Sequence, residues 1–66
     1  MIVHRSWTND LYAFYCAEAM DRQGIRVVAV TVSPSGMWGV WGQAEQIDFK
    51  ALDAAIDCQI DGETRT

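Results

Sequence analysis

An α+β two-layer sandwich, β-α-β-β-α, with a three-stranded mixed sheet and two helices on one face, is the fold this 66-residue sequence predicts. Three observations carry it. Val27, Val28, Val30, Thr31 and Val32 form a nearly unbroken β-branched run. Two segments with apolar residues at helical spacing flank that run, each opened by a good N-cap residue. Between the run and a second aromatic segment stands Ser33-Pro34-Ser35-Gly36, the chemistry of a tight turn.

The elements follow in order. Ile2 to Trp7 is rich in β-formers, and Thr8-Asn9-Asp10 then offers N-caps and an acid for a first helical turn. Leu11, Tyr12, Tyr15, Cys16 and Ala19 recur at helical spacing. Arg22 suits the last turn and Gly24 the C′ position, which predicts a helix near 9–23. Arg26 to Val32 is the second strand. Pro34 presets φ at the turn and Gly36 tolerates a positive φ after it, so Met37 to Gln43 returns antiparallel. Asp48 caps a second helix near 48–61, with Phe49, Leu52, Ile56 and Ile60 as its stripe and Gly62 as its stop.

A right-handed β-α-β crossover followed by a hairpin gives the strand order 1-2-3, with the valine-rich strand in the middle. Residues 1–62 make one domain and 63–66 a frayed tail. Strict alternation puts Arg26, Val28, Val30 and Val32 on one face and Ile25, Val27, Ala29 and Thr31 on the other, so both faces of the central strand suit burial. One face has no helix over it. A second copy or a larger partner covering it is the expected consequence.

The charge is uneven. Residues 1–43 balance Asp10, Glu18 and Asp21 against Arg5, Arg22 and Arg26, whereas 44–66 carry Glu45, Asp48, Asp53, Asp57, Asp61 and Glu63 against Lys50 and Arg65. Five scattered cations do not make the basic footprint that phosphate binding needs, so direct DNA binding is not expected. No apolar stretch is long enough to cross a bilayer, and Met1 to Ser6 has no signal-peptide core. A cytoplasmic protein is expected, in the host cytoplasm if the gene is viral.

The one His has no recognisable catalytic partner, and no embedded carboxylate pair or phosphate-cradling loop is legible, so the expectation is no catalysis and no cofactor. Cys16 and Cys58 read as free thiols. His4 with Cys16 is the one ligand-type pair, a weak basis for a small-ligand or metal binder.

The sharper signals are two. Trp38 and Trp41 fall on opposite faces of the third strand, with Trp7 on the first; in a chain this small two of the three are expected as core filler, and Trp38 and Trp41 are also the candidates for an interface anchor. Gly39 and Gly42 between them read as bare backbone along an edge open to docking. On the second helix Asp53, Asp57 and Asp61 climb one flank at i, i+4, i+8, and the last two oppose the helix dipole. Ala51, Ala54, Ala55 and Cys58 make a small-residue stripe on its far side. Replacing the three aspartates by Lys is expected to leave the isolated domain as stable or slightly more so.

The element order with Asp53, Asp57 and Asp61 on the last helix is similar, in architecture, to the DinI-like damage-inducible proteins, whose acidic helix imitates the nucleic-acid backbone. In size and charge the chain also resembles small acidic phage-encoded inhibitors, anti-CRISPR proteins among them. Those resemblances imply a non-enzymatic inhibitor that occludes a basic, nucleic-acid-binding surface of a larger protein or ribonucleoprotein complex. Asp53, Asp57 and Asp61 would steer it and Trp38 and Trp41 would anchor it. The alternative is a homodimeric structural or regulatory module that covers its own open sheet face.

Overall fold

Side-chain caps fix where each helix begins. In the computed structural model, which describes residues 1–64, the chain runs β1 (Ile2–Trp7), α1 (Asp10–Arg22), β2 (Arg26–Val32), β3 (Trp38–Gln43), α2 (Phe49–Thr64). Asn9 accepts from the Leu11 amide at 2.8 Å and Asp48 from the Ala51 amide at 3.0 Å, so both N-terminal turns have a side-chain acceptor. Gly24, at φ 76°, ends α1 in a Schellman turn, with the Ile25 amide donating to the Met20 carbonyl and the Gly24 amide to Asp21. Gly62 does not stop α2. Its φ is not positive, space around it is open, and the helix continues to Thr64. The expected frayed tail is therefore helical at residues 63 and 64, and its last two residues lie outside the described ones.

The β2–β3 turn closes with the Ser33 amide donating to Met37 O and the Gly36 amide to Ser33 O, while Gly36 takes φ 87°. The hairpin is as expected, but its place in the sheet is not. The order is β1-β3-β2 and both pairings are antiparallel, so the sheet is not mixed and β3, not the valine-rich strand, is central. The physical reason lies in the two strand glycines. A Cβ on Gly42 would sit 2.6 Å from Ile25 Cγ2, 3.0 Å from Met20 Sδ and 3.2 Å from Val3 Cγ1. One on Gly39 would sit 3.0 Å from both His4 Nε2 and Thr31 Oγ1. Side chains of β1, of β2 and the Ile25 that leads into it, and of α1 lean over these bare positions, so Gly39 and Gly42 mark the centre of the sheet and not a docking edge.

A register shift between Val27 and Ala29 also changes the faces of β2. Val27 stands opposite Gly42, Val30 opposite Val40 and Val32 opposite Trp38, so these three valines share the helix side and Val28 is the extra residue of a bulge. The uncovered face instead carries His4, Gly39, Trp41, Thr31 and Ala29. The premise of a central strand apolar on both faces does not hold.

Both helices lie on one face. Val3, Val40, Ala13, Cys16, Met20, Ile25, Leu52 and Ile56 close into one core between the sheet and the helix layer. α1 packs across all three strands, and α2 packs on α1 towards the β1 side. No helix of the described residues is long and apolar enough to cross a membrane.

Candidate functional site

The outward flank of α2 is set by its buried stripe. Leu52 and Ile56 fix the helix against α1, which leaves Asp53, Asp57 and Asp61 exposed one turn apart, about 6 Å along the axis. The three are not equivalent. Asp53 is gripped by Arg5 of β1, Nε to Oδ1 at 3.0 Å and Nη2 to Oδ2 at 3.2 Å. The same guanidinium lies 6.0 Å from the Phe49 ring centre. The first acid of the ridge thus serves the fold as well as the surface, and Asp57 and Asp61 continue the exposed row beyond it.

The sites expected to act together are apart. Trp41 lies on the uncovered sheet face, 37% exposed, with its ring stacked on His4 at 4.0 Å and 26°. Trp38 lies on the helix face, half-buried, and lines an apolar cavity of about 260 Å³ with Asp10, Ala13, Phe14, Ala17 and Val30. The acidic flank sits on the β1 side of the helix layer. One flat partner surface cannot touch the flank and Trp41 together, because the helix layer and the sheet separate them. Trp7 and Trp38 contribute to the core and Trp41 does not, in the ratio expected from the sequence.

His4 and Cys16 do not converge either. His4 is on the uncovered face, whereas Cys16 is wholly buried in the core on the other side. Among the described residues no group of three His, Cys, Asp or Glu side chains is placed to hold a metal. Burial pushes the Cys16 thiol above its ordinary value of 9.0; the Trp7 indole N–H and the Arg5 charge offset part of that rise and Asp53 adds to it. Cys58 is exposed and free, as is expected of a thiol on the outer stripe of α2.

Sequence reasoning missed one arrangement. Gln59, almost buried, joins the two helices by accepting from Arg22 Nη1 at 2.8 Å and donating to Glu18 Oε2 at 2.8 Å. Its signal was present, since Leu52, Ile56 and Gln59 stand at i, i+4, i+7, which puts a polar side chain on the core stripe. The network holds the C-terminal halves of α1 and α2 together. A second cavity, about 320 Å³, opens beside it. No known protein family, curated protein or solved structure matches the chain.

Proposed function

We propose that this chain is a non-enzymatic protein-binding module that occupies a basic surface of a larger protein or ribonucleoprotein, one on which nucleic acid would otherwise lie. The observation that supports this reading is the exposed acidic flank of α2. Asp57 and Asp61 sit in the C-terminal half of a helix whose described last turn has no basic residue, where carboxylates oppose the dipole. Placing Asp57 there costs a few tenths of a kcal/mol, and that expense has a use if a Lys/Arg-lined partner meets the flank. The Arg5–Asp53 pair and the Gln59 network hold the helix that carries them, which lowers the entropy lost on docking.

Trp41 takes no part in that contact and Trp38 supports it only through the core. Anchorage falls instead to the residues beside the acids on α2. The experiment is capture from the source cell or its host, followed by competition. A partner that releases the chain when nucleic acid is added, and is lost with Asp57→Lys/Asp61→Lys, supports the reading. A partner that holds nucleic acid and this chain at once contradicts it.

A further inference from the structure

The sheet has two edges and they are defended differently. β1 carries Arg5 on its helix side, where Asp53 and Phe49 hold it. An inward-pointing charge is a common device that keeps an edge strand from pairing with a second chain. β2 has no such residue, for Val27 to Val32 contain no charge at all. Next to β2 the apolar surface continues: Val30 is 49% exposed, Val32 54% and, on α1, Phe14 58%. The cavity lined by Phe14, Val30 and Trp38 lies in that shelf. Because α2 packs on the β1 side of α1, among the described residues α1 alone lies over β2, and it leaves Val30 and Val32 about half exposed.

We propose that the chain forms a reversible two-fold homodimer by pairing β2 antiparallel with β2 of a second copy, giving a continuous sheet in the order 1-3-2-2-3-1. The unpaired N–H and C=O groups of the edge require a strand as occupant, and β2 is complementary to itself. A two-fold axis at Thr31 keeps facing residues on the same side of the sheet. It sets Val30 and Val32 of one copy against those of the other on the helix side, with Phe14 from each α1 closing over them.

The charges agree with this. Arg26, the one charge on β2, falls at opposite ends of the seam in the two copies, and the acidic flanks of α2 lie at the far ends of the six-stranded sheet. Half of one Phe and two Val side chains with the strand backbone bury roughly 350 Å² per copy, the size of a weak, transient contact. The bulge at Val28 limits regular pairing to the second half of the strand. Such a seam gives a dissociation constant on the order of micromolar. The dimer does not depend on the function proposed for the acidic flank, which stays accessible in it.

The test is sedimentation of the whole chain over a concentration range, with hydrogen exchange of the β2 amides at the two extremes. A mass rising to that of two chains by high micromolar concentration, with β2 amide exchange slowing in step, is the expected result. Val30→Lys sets a cation against Val32 of the other copy and raises the dissociation constant about a hundredfold. Phe14→Glu, on a helix and away from the strand hydrogen bonds, has the same direction of effect and decides between the outcomes if Val30→Lys fails to fold. A wild-type chain that stays monomeric at high micromolar concentration overturns the proposal, as does a dimer whose dissociation constant is unchanged by Phe14→Glu.

Discussion

Arg5 and Asp53, 48 residues apart, form a two-donor ion pair that ties the first strand to the last helix. The pair separates Asp53 from Asp57, which the sequence places in the same row. Both groups are partly in water, so its worth is below about 1 kcal/mol. Asp53→Lys sets a cation beside Arg5 and lowers stability by up to about 1 kcal/mol, whereas Asp57→Lys stays within about 0.5 kcal/mol of the parent. Urea unfolding of the two variants checks this. Equal midpoints would remove the pair from the account and restore the expectation that all three reversals are harmless.

The two strand glycines make a second contrast. Gly42→Ala forces a methyl group to within 2.6 Å of buried Ile25, beside Met20 and Val3, which have no free space to move into. Overpacking of this kind costs about 1–3 kcal/mol. Gly39→Ala meets the tips of His4 and Thr31 on the uncovered face, which can swing aside, and costs under about 1 kcal/mol. Thermal unfolding ranks the two. The reverse ranking would mean that β3 is not the centre of the sheet.

Gln59 supplies a third test. Gln59→Ala removes the bridge between Glu18 and Arg22 and leaves a gap between the helices, at a cost of about 1–3 kcal/mol. Gln59→Met keeps the volume, and since Glu18 and Arg22 both reach water its loss is expected to be smaller. Denaturant unfolding of the pair separates packing from hydrogen bonding. A Met variant as unstable as the Ala variant would assign the whole effect to the polar network.

Cys16 gives a pH dependence. Burial holds its proton in the folded state above the ordinary thiol value of 9.0, so its share of stability is complete below pH 9.0 and is lost as pH rises from there through the higher folded value. Cys16→Ala abolishes that decline, although it lowers stability at every pH by opening a small cavity. Thiol labelling at neutral pH modifies Cys58 and spares Cys16, because one is exposed and the other wholly buried. Equal labelling rates would show that the core opens on the labelling timescale.

The local signals in the sequence were reliable because they are local. Asn9, Asp48, Gly24 and Gly36 all act through backbone atoms within four residues, and each does what its type predicts. Gly62 shows the limit of that logic, since a glycine permits a helix stop without imposing one, and here its φ is not positive and α2 runs on to Thr64. Strand order is a long-range property. The valine run points to β2 as the central strand, but a β-branched run fits an edge equally well, and the informative residues were Gly39 and Gly42. Their bare positions fit under Ile25, Met20, Val3, His4 and Thr31, and no spacing rule within β3 shows that. The acidic row was legible as a pattern. The grip of Arg5 on its first member was not, because it joins opposite ends of the chain.

The central claim, that the acidic flank of α2 meets a basic partner surface, is tested most directly by the salt dependence of association with the captured partner. Exposed charges steer encounter and are screened over about 10 Å at 0.1 M salt, so the wild-type association rate falls steeply as salt rises. Asp57→Lys/Asp61→Lys is predicted to associate at least about tenfold more slowly at low salt and to lose that dependence, with dissociation changing less. An association rate and salt slope unchanged in this variant, with its fold confirmed intact, would contradict the account and leave the flank as a solvated surface.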